Sequence, residues 1–461
     1  MHPHDGVPGA PPAGITGAAP MSDAGGDNRK IGGWICTALV VGNVIGMGIF
    51  LLPSSLAPFG FNALIGWGIT LFGCLTLAQV FARLAHALPE ADGPYGYIRH
   101  SLGELPAYMA MWAYWLSVWL TNAALATGVV GYIAVVVPSL AALQPTMFAL
   151  LLLWSLVVVN LFGVRTGGGV QIVTTALKLL PMLAIAVLGG WLLLTAPASF
   201  VAHPPATPIR PGTVLTASTI ALFAMIGFES ASLPAARVSN PGRTIPRATM
   251  IGTTLVALIY LVVSAVPLLL IPQQELAHSN APLSLLMERF GHAGAGRWLA
   301  LFVVVSGLGA LNGWTLLVGE ITRTMAVNGV LPAVLARNNR QGTPVIALLV
   351  TGLFASLMVW MSYSASLVAA FTFITLVSTA ACLPLYLGCA VALLVLWRRG
   401  VAGCNGGKVL LVAGVGLLYV VFAIVGIGGR PFLYAMGLCA AGLPLYGLMR
   451  WRRKTPLPVE V

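Results

Sequence analysis

Long apolar runs follow one another along most of the chain, and short polar or glycine- and proline-rich stretches separate them. A helix that crosses a bilayer needs about 20 mainly apolar residues, and most of these runs supply that length. Twelve runs can be recognised, near residues 31–56, 61–86, 105–136, 146–163, 170–195, 212–234, 247–272, 295–325, 345–362, 367–397, 408–427 and 430–450. The pattern therefore predicts an all-α membrane protein with twelve transmembrane helices.

The two ends of the chain have a different pattern. Residues 1–29 are rich in glycine, proline and alanine, and they lack the basic start and the small-residue cleavage site of a signal peptide. We expect them to form a disordered cytoplasmic tail, and we expect a second, short cytoplasmic tail at 454–461. Residues 30–453 then form one transmembrane domain.

Composition excludes a water-soluble fold. Hydrophobic residues make up 58% of the 461 residues and charged residues only 7%, whereas soluble domains carry about 25% charged residues. The six cysteines and seven histidines show no metal-ligand spacing, so neither a metal nor another cofactor is predicted. An intramembrane enzyme would need paired catalytic groups and a channel would need rings of charge or filter carbonyls, and the sequence offers neither.

The net charge of +12 is explained by membrane orientation rather than by nucleic-acid binding, because the basic residues fall just beyond the apolar runs. With the N-terminus in the cytoplasm, all but four of the 23 lysines and arginines lie on the cytoplasmic side of the membrane or at the cytoplasmic edge of a span. Lys178 is among the residues placed at that edge. The exceptions are Arg210, Arg289, Arg297 and Arg430. This asymmetry supports twelve spans with both termini in the cytoplasm, and we expect the membrane to be a bacterial inner membrane.

Two of the predicted spans contain sequences that favour a broken helix. The first has GNVIGMGIF, in which glycines surround Asn43, and the sixth has FAMIGFESAS from Phe223 to Ser232. Glycine weakens helical hydrogen bonding, and unwound backbone is tolerated at membrane depth only where it lines protein or a watery cavity. Close packing of small residues is the alternative explanation. Glycine-interrupted helices at corresponding positions of two halves, however, indicate a midplane substrate site between inverted repeats.

The chemistry of such a site suits an α-amino acid. The N–H groups that begin a half-helix favour an anion such as a carboxylate, and the carbonyls freed on the opposite side can accept hydrogen bonds from an ammonium group. We therefore expect a small-molecule substrate with an amino acid or amine head group.

Several motifs appear in the order found in one known superfamily. They are GNVIGMGIFLLP, ADGPYGYIR, YWLSVWLTN, IGFESAS, NPGRTIPRA, and NGWTLL followed by NGVLP. Between about Lys30 and Arg453 the chain resembles the amino acid–polyamine–organocation superfamily, and within it the basic amino acid/polyamine antiporters. The resemblance implies the leucine-transporter type of fold, with inverted five-helix repeats at about 31–195 and 212–397 and extra helices at about 408–450. It also implies a homodimer in the lipid bilayer.

The resemblance further implies which residues contact the substrate. Its carboxylate would meet the backbone near Met47 and Gly48, in the segment of Asn43, and its amino group would meet carbonyls around Ile45, Phe223 and Ile226. Its far end would meet Asn122, which is flanked by Ser117, Val118 and Leu125, and Trp314 would stack on its stem and close the cytoplasmic side.

The resemblance assigns three further residues to gating and proton coupling. Tyr114 and Glu229 match members of an outer gate, and Tyr95 matches a cytoplasmic-side tyrosine linked to the response to pH. Glu229 is also the one acidic residue that we place near the middle of a span, where a carboxylate is costly and usually functional. A satisfied structural hydrogen bond is the alternative role.

The chain departs from the family's arginine/agmatine exchangers at four positions. Phe223 stands in place of a tryptophan, Met47 in place of a serine, Leu125 in place of a methionine, and Leu385 in place of a second gate tyrosine. We still expect exchange of a basic amino acid for its decarboxylated amine, of the arginine/agmatine kind. The alternative is a proton-coupled permease for neutral or other cationic amino acids.

Overall fold

A computed structural model describes residues 32–454 except residues 90, 92, 163–167, 230–239, 363, 402 and 405. The predicted N-terminal tail and nearly all of the predicted C-terminal tail therefore lie outside the described residues. Within the described ranges the chain forms helices and their connections, and it forms no β-strand. The described part of the chain is thus all-α, as the sequence pattern predicts.

Seventeen α-helices follow one another in the described chain. They are α1 (Gly33–Val44), α2 (Gly48–Leu56), α3 (Phe61–Ala87), α4 (Gly93–Leu102), α5 (Glu104–Val136), α6 (Pro145–Leu161), α7 (Gly168–Thr195), α8 (Pro211–Met225), α9 (Pro241–Leu270), α10 (Gln273–His278), α11 (Pro282–Phe290), α12 (Ala295–Val327), α13 (Val345–Met361), α14 (Leu367–Arg398), α15 (Gly407–Gly426), α16 (Gly429–Ala440) and α17 (Gly442–Lys454).

Eight helical segments among the described residues are long and apolar enough to cross a membrane. They are α3, α5, α7, α9, α12, α14, α15 and the combined α16–α17 segment. The bent pair α1–α2 makes a ninth if it is counted as one span, and α6, α8 and α13 are shorter apolar helices. Every run predicted from the sequence contains one of these helices or pairs.

The helix α5 lies at the centre of the molecule. It packs along α14 and α12, while α3 packs against α8 and α9, and α1 packs against α9. In its most apolar window 89% of α5 is buried, against 17% for the α16–α17 segment. The apolar surface of α5 therefore faces protein and that of α16–α17 faces the surroundings, so polar side chains on α5 lie inside the protein.

Candidate substrate-binding site

The first helix is broken at the predicted place. The helix α1 ends at Val44, Ile45 has an extended backbone with φ −72° and ψ 96°, and α2 begins at Gly48. The two helical pieces are bent by 42° relative to each other. The first N–H groups of α2 and the last carbonyls of α1 consequently lack a helical partner. The Val44 carbonyl accepts a hydrogen bond from the Tyr260 hydroxyl at 3.0 Å.

A buried lysine donates a hydrogen bond to a second carbonyl at the end of α1. The Lys178 ammonium on α7 donates to the Gly42 carbonyl at 3.0 Å, and the residue is only 4% exposed. A cation is favoured at this position because the C-terminal end of a helix carries a partial negative charge. The prediction that Lys178 belongs to the basic residues at the inner edge is wrong, since its charge lies among packed helices.

The second predicted break follows α8. The helix ends at Met225, Ile226 is extended with φ −60° and ψ 134°, and Gly227 has φ +115°, a conformation that residues with a side chain rarely adopt. A Cβ atom at Gly227 would lie 3.1 Å from the Asn43 carbonyl oxygen. The two breaks therefore touch each other through their backbones. Phe228 and Glu229 follow within the described chain, and residues 230–232 of the predicted segment lie outside the described residues.

A cavity lies where the two breaks face α5 and α12. Residues from both breaks line it, together with two residues of α5 and the aromatic residue Trp314 of α12. Its lining residues are Asn43, Val44, Gly46, Gly48, Thr121, Leu125, Phe223, Ala224, Ile226 and Trp314. The start of α2 lies close to the ring of Phe223, because a Cβ atom at Gly48 would be 3.2 Å from two of its ring carbons. Glycine at this position thus leaves room for the cavity.

The predicted substrate residues divide between the wall of the cavity and its surroundings. Six of them line the cavity, namely Asn43, Gly48, Leu125, Phe223, Ile226 and Trp314. The other five, Ile45, Met47, Ser117, Val118 and Asn122, are buried outside this lining. The Ser117 hydroxyl lies 3.2 Å from that of Ser378, and the Asn122 Oδ1 atom has no hydrogen-bond partner among the described residues.

The remaining lining residues are Gly46, which belongs to the predicted glycine-rich break, and Val44, Thr121 and Ala224, which sequence reasoning missed. Helical periodicity could have found Thr121, because it precedes the predicted Leu125 by four residues and therefore lies on the same face of α5. Val44 and Ala224 contribute next to a break, where the backbone path decides which residues face the cavity. Their apolar side chains gave no separate signal.

A cluster of three side chains, which we call the carboxylate clamp, consists of Glu229, Tyr114 and Tyr386. Glu229 is 1% exposed. Its Oε1 atom accepts from the Tyr114 hydroxyl at 3.0 Å, and its Oε2 atom accepts from the Tyr386 hydroxyl at 3.0 Å and from the Gly227 N–H at 3.1 Å. The expectation that Leu385 deprives this gate of a second tyrosine is wrong, because the neighbouring residue Tyr386 occupies that place.

The position of the clamp also corrects its expected side. Tyr114 lies in the first half of α5 and Tyr386 in the second half of α14. If α1–α2 is the first span and α3 the second, then α5 begins on the side of the membrane at which α1 begins. The clamp therefore lies toward that side. An outer gate and a cytoplasmic N-terminus are therefore incompatible predictions. With a cytoplasmic N-terminus the clamp would lie on the cytoplasmic side of the cavity.

Tyr95 lies away from both the cavity and the clamp. It lines a separate depression with Glu104 and Tyr108 at the start of α5 and with Tyr446 and Arg450 on α17. The rings of Tyr108 and Tyr446 are in contact, with centroids 4.8 Å apart. A response to pH at Tyr95 would thus have to reach the cavity through helix movement rather than by direct contact.

Comparison with known proteins agrees with this geometry. A family model described as amino acid permease matches residues 31–433. The putrescine transporter PotE of Haemophilus influenzae is 27% identical over 92% of this chain and 98% of its own length. The putative arginine/ornithine antiporter of Bacillus subtilis is 31% identical over 91% of this chain and 96% of its own. The cadaverine/lysine antiporter of Escherichia coli is 31% identical over 68% of this chain and 71% of its own.

The family match covers both breaks, the cavity and the clamp, and two of these relatives cover more than nine-tenths of the chain. The chain therefore belongs to the amino acid permease family, within the amino acid–polyamine–organocation superfamily and its basic amino acid/polyamine antiporters.

Proposed function

We propose that this chain is a secondary active antiporter that exchanges a basic amino acid for the amine formed by its decarboxylation, by alternating access to the cavity. The observation that carries the proposal is the cavity between two interrupted helices, closed by Trp314 and backed by α5. The described lining residues are uncharged, so the head group of the substrate would be recognised by backbone groups and by the aromatic face.

The helix ends around the cavity suit the two charges of an amino acid. The N–H groups at the start of α2 favour the carboxylate, because the N-terminal end of a helix is partially positive. The last carbonyls of α1 and α8 favour the α-ammonium group. The indole of Trp314 offers a π face to a cationic side chain, an interaction of about 0.5–2 kcal/mol.

The substrate class is broader than the arginine/agmatine pair expected from the sequence. The relatives are named for putrescine, for arginine and ornithine, and for cadaverine and lysine. We propose basic amino acids and their diamines as the class. The second candidate, a proton-coupled permease for neutral or other cationic amino acids, is favoured by one observation, the uncharged lining beside a buried carboxylate clamp.

We also propose the complete architecture of the family. The eight long helices, the bent pair and the three shorter apolar helices would together supply twelve spans. The breaks after Val44 and Met225 would occupy equivalent places in two inverted five-helix repeats. Both termini would be cytoplasmic, in a bacterial inner membrane, and the protein would assemble as a homodimer. Cysteine accessibility at the two ends, in inverted and right-side-out vesicles, tests the orientation.

Counterflow in proteoliposomes tests the antiport. Vesicles loaded with cadaverine, putrescine, agmatine or buffer are diluted into labelled lysine, ornithine or arginine, with the pH equal on both sides. We expect rapid uptake only into vesicles that contain an amine or an amino acid. A second set of buffer-loaded vesicles is diluted into a more acidic medium, and uptake by that set alone would favour the permease instead.

A further inference from the structure

Thr121 is a polar side chain in the cavity wall to which no role has been assigned. It lies on α5, is 4% exposed, and lines the cavity opposite the two helix breaks. Its hydroxyl donates to the Ser117 carbonyl one turn earlier at 2.8 Å, and it lies 3.1 Å from the Ser378 hydroxyl on α14. Ser378 also donates to the Ser117 carbonyl, at 3.0 Å. Two polar groups from two helices, the Ser117 carbonyl and the Ser378 hydroxyl, thus fix the Thr121 hydroxyl.

The single proton of the Thr121 hydroxyl is committed to the protein. A carbonyl oxygen can only accept, so the bond to the Ser117 carbonyl uses the Thr121 proton. If the proton turned to its one other neighbour, the Ser378 hydroxyl, it would still point into the helix contact. In either arrangement the Thr121 oxygen has a lone pair left over. The hydroxyl can therefore accept a hydrogen bond from a ligand without losing a bond of its own, whereas donating its proton to a ligand would break its bond to the protein.

We infer that Thr121 is a specificity-determining residue, whose oxygen accepts a hydrogen bond from the distal ammonium group of the substrate. An ammonium has only donors and a carboxylate has only acceptors, so this oxygen favours the first and rejects the second. The inference rests on the proposed function, because it requires a substrate with a second amine. It explains how an uncharged cavity wall can distinguish lysine from norleucine, which has the same chain without the distal amine.

The test compares Thr121→Val, which keeps the branched shape and removes the oxygen, with Thr121→Ser, which keeps the oxygen. Thr127→Val is the matched control, because Thr127 lies on the same helix, makes the same backward bond to Ala123 at 2.9 Å and does not line the cavity. Affinities for lysine, cadaverine and norleucine are measured by competition against labelled lysine in proteoliposomes. Size-exclusion profiles in detergent report whether each variant folds.

We expect Thr121→Val to weaken the affinity for lysine and cadaverine by about 10- to 100-fold, as for a hydrogen bond to a charged group. Thr121→Ser should keep most of the wild-type affinity, Thr127→Val should match wild type, and the affinity for norleucine should change little. Unchanged lysine affinity in Thr121→Val overturns the inference, and so does an equal loss for norleucine. Where norleucine binds too weakly to measure, the difference between the valine and serine variants decides.

The failure of the proposed function looks different in the same experiment. Wild-type protein that shows no counterflow and no competition with any amine or basic amino acid removes the substrate class itself. Wild-type counterflow with an unaffected Thr121→Val variant removes only the role of Thr121.

Discussion

The cavity and the carboxylate clamp both include residues of α5, but they differ in how far the hydrogen bonds of their polar groups are satisfied. At the cavity, helix ends and the Thr121 oxygen keep hydrogen-bonding capacity that faces the open space. At the clamp, both oxygens of Glu229 are already engaged by Tyr114, Tyr386 and the Gly227 N–H. A region with unused capacity can receive a ligand, whereas a region with satisfied groups holds helices together until its bonds break jointly. Variants of the cavity should therefore lose binding, and variants of the clamp should lose the coupling of transport to pH.

The largest effect is expected from filling the cavity. Gly48→Leu should abolish counterflow, because even a Cβ atom there would lie 3.2 Å from the Phe223 ring and the rest of the side chain has only the cavity to occupy. Gly190→Leu is the control, since a Cβ atom at Gly190 on α7 would meet nothing within 4 Å. Wild-type counterflow in Gly48→Leu, at equal amounts in the membrane, would show that the substrate binds elsewhere.

Removal of the aromatic wall should weaken binding without abolishing it. Trp314→Ala should lose about 2- to 30-fold in affinity for a cationic substrate, which corresponds to a cation–π contact of about 0.5–2 kcal/mol. Trp314→Phe should lose less. Trp34→Ala should behave like wild type, because Trp34 is 82% exposed at the start of α1. Titration of labelled lysine provides the affinities, and equal values for Trp314→Ala and Trp34→Ala would remove Trp314 from the site.

A change in the clamp should alter the response to pH more than the affinity. In Glu229→Gln the amide oxygen can still accept from Tyr386 and Gly227, while the amide NH₂ group turns to Tyr114 and donates. The variant should bind substrate, but its transport rate should lose most of its dependence on pH between about 5 and 8, because an amide does not titrate. Rates are measured with both sides of the vesicle at one pH.

The control for this change is Glu320→Gln, whose wild-type carboxylate is 48% exposed and lies 3.8 Å from the Arg323 guanidinium. Its pH profile should equal that of wild type. An unchanged profile in Glu229→Gln would make Glu229 a structural residue and would direct attention to Tyr95.

The smallest effect is expected at the N-terminus, outside both regions. Deletion of residues 1–28 should leave the rate of counterflow per inserted protein unchanged, since this segment supplies no apolar surface. A truncated protein that inserts normally and transports several-fold more slowly would contradict this expectation.

Structural features that depend on composition and on the positions of glycine could be predicted from the sequence. The breaks at Ile45 and after Met225 follow from backbone that cannot remain helical, and Trp314 and Phe223 were found from motifs. Features that depend on rotation about a helix axis were less accessible. Leu385 and Tyr386 differ by one position, yet one residue turns an α-helix by about 100°, so a misplacement by one residue moved the gate tyrosine to another face.

Long-range contacts were the other limit of sequence reasoning. From the sequence, a lysine inside an apolar run is interpreted as a charge at the edge of a span. Only the packing of α7 on the end of α1 shows that Lys178 binds the Gly42 carbonyl. Thr121 was overlooked for a similar reason, because the Ser378 hydroxyl that orients it lies on α14, 257 residues away in the chain.

That separation has a consequence for biogenesis. A ribosome that adds about 5–20 residues per second reaches Ser378 roughly 10–50 s after it has made Thr121. During this interval α5 has to reside in the bilayer or the translocon without α14, with its hydroxyls among lipid tails or unfamiliar neighbours. The bonds that Thr121 and Thr127 make to carbonyls of their own helix need no second helix. The hydrogen bonds within α5 thus also satisfy its hydroxyl groups in the membrane before α14 has been inserted.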